Sequence, residues 1–163
     1  MSSTTRRGLV SAAAVATVLG GALALAAPAQ ASPIGAAQCG AKDLAVTASY
    51  SDSGFGKAHW RVEFASTGAT CTLQGAPTNL VFSDAKGAAL AFDREAGEPA
   101  TGPAVTVSPG TPAHVIVRTR LEGDRQPATK LQLTLPNSSE RVATAWPAAI
   151  TGPIGVTEVR TGA

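Results

Sequence analysis

The feature that most constrains the fold of this chain is a strict alternation of apolar and polar residues. Residues 58–64 read AHWRVEF, with an apolar side chain at every second position. The same period of two recurs in residues 113–120 and 130–135. A period of two is typical of a β-strand with one buried and one solvent-facing side. The chain is therefore predicted to form strands that share an apolar core.

Weaker strand candidates occupy most of the remaining sequence, and turn residues separate them. No window shows sustained helical spacing with caps. Many short strands at regular intervals predict an all-β fold, an immunoglobulin-like antiparallel β-sandwich. The weaker candidates are residues 43–50, 70–73, 79–82, 88–93, 105–107, 141–146 and 154–159.

The connections between these strands are also predicted. Residues 51–57 and 95–103 are predicted to be loops. Residues 84–87, Asp-Ala-Lys-Gly, indicate the turn of a β-hairpin, in which Gly87 supplies a positive φ.

The first 31 residues are predicted to be a cleaved export signal. Arg6 and Arg7 precede an uncharged stretch, residues 8–27, and Ala29-Gln30-Ala31 gives the small-x-small pattern that signal peptidase cuts. We expect a secreted, extracellular protein, free or associated with the cell wall. Residues 32–163 are then long enough for one domain and too short for two ordinary ones.

Other interpretations of this segment are weaker. A retained membrane helix is disfavoured because residues 9–27 are rich in Ala and Gly and Pro28 follows directly. A lipid anchor on Cys39 is disfavoured because Gln38 precedes it, where a small residue is required. Residues 5–10 loosely resemble a twin-arginine export box, so both that route and the general secretory route stay open.

Charge excludes a nucleic-acid partner. The net charge of +2 comes from Arg6 and Arg7, so the chain without its signal is formally neutral. Nucleic-acid binding needs a basic patch or stripe. After signal cleavage we expect no membrane insertion.

Cys39 and Cys71 are the only cysteines. An even count in an exported domain indicates one disulfide. This pair does not follow the antibody arrangement, in which the bridge links two core strands around a Trp. The sequence contains no Cys-x-x-Cys motif and no Cys-His cluster, so nothing indicates a metal-binding or reactive cysteine pair.

The region around the second cysteine resembles a known family. Residues 64–77, FASTGATCTLQGAP, contain a Cys-x-Leu-x-Gly-x-Pro element, and residues 105–113 end a strand in Pro-Gly. Together with the N-terminal Cys39, these features are similar to the domain of unknown function 4232, found in secreted proteins and lipoproteins of actinobacteria. The resemblance implies an extracellular β-sandwich and no activity. Many members carry a second cysteine pair in the C-terminal half, which this chain lacks.

No catalytic constellation or cofactor motif is evident. A Gly-x-Ser-x-Gly elbow, a phosphate loop and a dinucleotide fingerprint are all missing from the sequence. We therefore expect a protein that is not an enzyme and holds no cofactor or metal. The alternative is an extracellular hydrolase that uses clustered carboxylates in one concave pocket. Its candidates are Asp84, Asp93, Glu95 and Glu98.

The two histidines offer a second alternative, a small-ligand or metal carrier. His59 and His114 alternate out of phase with the apolar residues, so both are expected on sheet surfaces. They could share a metal only if their strands brought them close together.

The leading hypothesis is a non-catalytic binding module at or near the bacterial cell envelope, with a cell-wall polymer or another secreted protein as partner. Loops at the ends of sandwiches often bind ligands. Phe55 is expected to be tucked in rather than displayed, and Trp146 to lie at a rim. The candidate binding residues are Phe55, Trp146, Arg61 and Arg118, with Arg120 on the same outward face.

Overall fold

A computed structural model describes residues 35–96 and 102–162, which lie in one compact unit, Pro33–Ala163. The predicted export signal lies outside the described residues. In the described ranges, no helix has the length and apolar character needed to cross a membrane. A 3₁₀ turn at Ala41–Asp43 precedes the strands β1 (Leu44–Gly54), β2 (Lys57–Ser66), β3 (Cys71–Leu73), β4 (Thr78–Ser83), β5 (Ala89–Leu90), β6 (Val105–Val107), β7 (Ala113–Arg120), β8 (Lys130–Thr134), β9 (Arg141–Ala145), β10 (Gly155–Val156) and β11 (Arg160–Thr161).

The first layer is an antiparallel sheet with strand order β1-β2-β7-β10, in which β11 also pairs with β7. Its two central strands alternate as predicted. Trp60, Val62 and Phe64 of β2 and Val115 and Val117 of β7 are buried. The residues between them in β2 are partly exposed. The sheet therefore has one apolar inner face and one polar outer face.

The second layer is an antiparallel sheet with order β5-β4-β8-β9, and β3 and β6 form a separate pair. Phe82, Leu131, Leu133 and Val142 of the four-stranded sheet are buried. Their side chains and those of the first sheet belong to one apolar cluster. The predicted antiparallel β-sandwich is confirmed.

Trp146 lies in this core, directly after β9. Its backbone N–H donates to the Thr129 carbonyl at 2.8 Å, which holds it beside the start of β8. Its ring centroid lies 5.1 Å from that of Trp60 and 4.9 Å from that of Phe82, so it bridges the two sheets. The expectation that Trp146 lies at a rim is wrong.

The predicted loop at residues 51–57 is mostly strand. β1 continues to Gly54 and β2 begins at Lys57, so only Phe55 and Gly56 form the turn. The Ser-Asp-Ser-Gly sequence of residues 51–54 has low strand propensity. Pairing with β2 overrides that propensity, with a register shift between Tyr50 and Asp52.

The hairpin turn at residues 84–87 is confirmed. Gly87 has a φ of +84°. The Asp84 carboxylate accepts hydrogen bonds from the backbone N–H groups of Lys86 and Ala88, both at 2.9 Å. The side chain of Asp84 thus stabilises the turn.

The predicted disulfide between Cys39 and Cys71 is confirmed. Both residues are buried, and Cys71 lies at the start of β3. The Cys39 N–H donates to the Thr72 carbonyl at 3.0 Å, so the N-terminal segment is also hydrogen-bonded to β3. The bridge spans 32 positions of sequence.

Replacing both cysteines by alanine is expected to lower the free energy of unfolding by about 3–4 kcal/mol, because the unfolded chain regains the entropy of a long closed loop. Urea denaturation of the oxidised protein and the double variant measures the difference. The reduced wild-type protein is the control and should match the variant. A loss below about 1 kcal/mol would show that the bridge does not stabilise the sandwich.

Candidate functional site

A groove opens between the two sheets on the side where β4 and β5 approach β10. Its volume is about 580 Å³, within the range of small-molecule sites. Most of its lining is apolar. The principal side chains are Leu80, Phe82, Leu90, Phe92, Ile154 and Val156.

Irregular backbone produces this groove. β4 shifts register between Thr78 and Val81, and Asn79 there has a φ of +48°. β5 covers only two residues of β4. Beyond β5 the chain crosses to the other sheet, where the Glu95 N–H donates to the Ile154 carbonyl at 2.9 Å. The interior between the sheets therefore stays accessible at this side.

Two charged residues, Arg94 and Glu95, belong to the groove lining. The Arg94 guanidinium donates to the Leu80 carbonyl at 2.8 Å. Glu95 Oε1 accepts from Lys57 Nζ at 2.6 Å, and Glu95 Oε2 lies 3.5 Å from Arg118 Nε. Two cations therefore compensate the Glu95 carboxylate.

Gly155 lies directly beneath this ion pair. A Cβ at Gly155 would lie 2.5 Å from Glu95 Oε2 and 3.0 Å from Arg118 Nε. The missing side chain lets the carboxylate and the guanidinium approach over β10.

The carboxylates proposed for a hydrolase do not meet in this groove. Glu95 lines it, whereas Asp84 is bound in its hairpin turn and Asp93 is exposed outside the lining. Glu98 lies outside the described residues. Of the three described candidate carboxylates, Glu95 alone lines the groove.

The outer face of the first sheet carries the predicted arginines. Arg61 lies opposite Ile116, and Arg118 lies opposite His59 on the adjacent strand. Arg120 lies opposite Lys57 further along. Residues directly opposite in an antiparallel pair share a face. The structure therefore brings Arg61, Arg118 and Arg120 together on one surface, away from Trp146.

The two histidines lie on this face but not side by side. His59 is opposite Arg118, and His114 is opposite Glu63, four residues along β2. At about 3.4 Å per residue, this offset separates their backbones by roughly 14 Å along the strands. His59 is hydrogen-bonded to Asp52. A metal shared by His59 and His114 is thus contradicted by the register. No group of three or more potential ligands occurs among residues 35–96 and 102–162.

His114 is buried, contrary to the expectation that it lies on the surface. It occupies the middle of the sheet, between Glu63 of β2 and Arg160 of β11. Burial lowers the pKa of His114 from its ordinary value of 6.5; the positive charges of Arg61 and Arg160 lower it further, and Glu63 raises it. Its neutral form is therefore favoured in the folded protein.

Phe55 is displayed at the tip of the β1–β2 hairpin rather than tucked in. Its relative exposure is 107%, so no other part of the described chain covers its ring. Its φ is +51° and that of Gly56 is +73°. Positive φ at both central residues is characteristic of a type I′ turn, which projects the side chain at its apex.

Comparison with known proteins gives one positive result. The family model described as a domain of unknown function, DUF4232, matches residues 39–163. The chain belongs to the DUF4232 family. No curated protein and no solved structure matches this chain.

Sequence reasoning missed the groove of this DUF4232 domain. Residues 79–82 and 88–93 were both predicted as strands, and their apolar side chains were consistent with ordinary core positions. The only local signal was Asn79, a residue that tolerates positive φ. The half-buried state of Leu80, Leu90 and Phe92 depends on the approach of β10, which the sequence pattern does not reveal.

The buried His114 is expected to make stability depend on pH. Its folded pKa lies below 6.5, so the unfolded chain takes up a proton first as the pH falls. The free energy of unfolding should therefore decrease as the pH drops below about 6.5. Urea denaturation at pH 7.5 and 5.5 should show a larger loss for the wild type than for His114→Gln. An equal loss in His114→Gln would contradict the assignment.

Trp146→Ala is expected to destabilise the sandwich by about 3–5 kcal/mol, because it leaves a cavity between the sheets. Trp146→Phe should cost less than Trp146→Ala, because the smaller aromatic ring fills part of that cavity. The indole N–H has no acceptor among the described residues, so its loss breaks no hydrogen bond there. Thermal and urea denaturation measure the stability loss of each variant. Small and equal losses of stability in the two variants would show that Trp146 does not join the sheets.

Proposed function

We propose that this chain is an exported, non-catalytic binding module that contacts the bacterial cell envelope through the tip of its β1–β2 hairpin. The observation that carries the proposal is Phe55, a fully exposed aromatic ring at a positive φ. The partner is an envelope component, a cell-wall polymer or another secreted protein.

The backbone conformation of Phe55 lowers the stability of the isolated domain. A left-handed backbone costs a residue with a Cβ about 1–2 kcal/mol. Asn-Gly is the preferred sequence for such a turn, because Asn tolerates positive φ. At the other described non-glycine positions with positive φ, the chain indeed uses asparagine, Asn79 and Asn137. Folding alone does not account for the phenylalanine.

The surroundings of Phe55 resemble the anatomy of a small interface. Leu121 is 38% exposed, and its N–H donates to the Gly56 carbonyl at 3.1 Å, which places it beside the tip. Arg125 donates to the Leu121 carbonyl at 3.3 Å, and Arg120 lies opposite Lys57, the residue directly after the turn. An apolar centre with a polar rim is typical of protein binding surfaces.

Two further features support an extracytoplasmic location. The residue pattern of the first 31 residues is that of an export signal. The Cys39–Cys71 disulfide persists most readily in an oxidising compartment.

The test is co-sedimentation of the protein, purified from the culture medium of producing cells, with isolated envelopes over a salt series. We expect binding that resists salt, because an apolar contact is not screened. Phe55→Asn should weaken it at least about tenfold, the effect of losing a central aromatic contact. The same variant should raise the free energy of unfolding by about 1 kcal/mol.

Phe55→Leu is the matched control, since it keeps an apolar side chain at the tip and should retain most of the binding. Unchanged binding by Phe55→Asn would contradict the proposed contact. No sedimentation of the wild-type protein at any salt concentration would contradict envelope binding altogether.

A further inference from the structure

The groove between the sheets has features of a ligand site that the hairpin tip does not use. Leu80, Leu90, Phe92 and Val156 are only partly buried although they pack against the core. They face a concave space of about 580 Å³. Replacing water by a hydrocarbon against a concave apolar surface is favourable in free energy. The lining is therefore suited to one apolar chain.

Arg94 adds a charged group to this apolar lining. One of its terminal nitrogens, Nη2, donates to the Leu80 carbonyl. A guanidinium has five N–H donors, so most remain for a ligand. No carboxylate among residues 35–96 and 102–162 forms an ion pair with Arg94.

The adjacent carboxylate does not cancel this positive charge. Glu95 is bound to Lys57 and lies at ion-pair distance from Arg118. Lys57 and Arg118 therefore compensate Glu95, and no described carboxylate lies at ion-pair distance from Arg94. The groove thus favours an anion near Arg94 over a cation.

We propose that this groove binds a single-chain amphiphilic carboxylate, of the fatty-acid type. The hydrocarbon chain lies among Leu80, Leu90, Phe92 and Val156, and the carboxylate lies on Arg94. A guanidinium matches a carboxylate with two parallel hydrogen bonds. A single guanidinium with no acidic partner among the described residues suits a head group with one negative charge better than a phosphate monoester, which carries nearly two at neutral pH.

The test is calorimetric titration of the full-length, oxidised protein with dodecanoate, dodecyl phosphate, dodecanol and dodecyltrimethylammonium, all below their micelle concentrations. We expect dodecanoate to bind at least about tenfold more tightly than the other three, because it alone combines the chain with a matching charge. Equal or tighter binding of dodecyl phosphate would overturn the carboxylate assignment. Equal binding of the cationic amphiphile would overturn the role of Arg94.

Two variants locate the site. Arg94→Gln changes an exposed side chain and should weaken dodecanoate about tenfold while leaving dodecanol binding unchanged. Ala91→Trp, at another exposed lining residue, should block both ligands by filling the groove. Arg120→Gln is the matched control, an exposed arginine outside the lining, and should bind as the wild type does. Dodecanoate binding that is indifferent to Arg94→Gln and Ala91→Trp would overturn the groove as its site.

This experiment is independent of the proposed envelope contact, because the two sites use different residues. Phe55→Asn should bind dodecanoate normally, and Arg94→Gln should sediment with envelopes normally. Failure of dodecanoate binding in the wild type would overturn the groove proposal and leave the hairpin contact standing.

Discussion

A continuous row of aromatic rings holds the two layers of this sandwich together. It runs from Tyr50 through Trp60, Trp146 and Phe82 to Phe92, with successive ring centroids 4.9–5.9 Å apart. The chain has seven aromatic residues, and five of them belong to this row. Edge-to-face and tilted contacts at these distances add to the gain from burying the rings. The valines and leucines on either side pack around this row.

The outer surfaces follow from this core. Because the inner face takes every second residue of β2 and β7, their intervening residues form a row of charged and polar side chains outside. Glu95 reaches this row from the crossing segment after β5 and binds Lys57 near Arg118. The same crossing segment leaves the groove open beside β10. One local irregularity therefore creates both the ion pair and the concave apolar surface.

The strands with a repeating apolar–polar pattern were predicted correctly from the sequence. The alternation in residues 58–64 and 113–120 identified the central strands and their faces, since burial on one side imposes a period of two. The cysteine pair and the turn at residues 84–87 were also predicted correctly, because each has a local signature.

Features that depend on distant packing were not predictable in this way. Trp146 before a proline looked like an end of a strand, yet the position of Thr129 directs it inward. Phe55 between two glycines was expected to find cover, but strand pairing extends to Gly54 and leaves the ring at the apex. His114 is buried because β11 lies beside β7, a pairing between residues far apart in sequence. Each outcome is a tertiary effect that local propensity does not encode.

The proposed role of Phe55 is contact with an envelope component. The most direct measurement is photo-crosslinking in intact cells from a benzoylphenylalanine placed at position 55, with the same probe at the exposed Lys86 of the other hairpin turn as control. A discrete crosslinked envelope species from position 55 and none from position 86 is the predicted result. Crosslinking that is absent from position 55, or equal at the two positions, would contradict the claim.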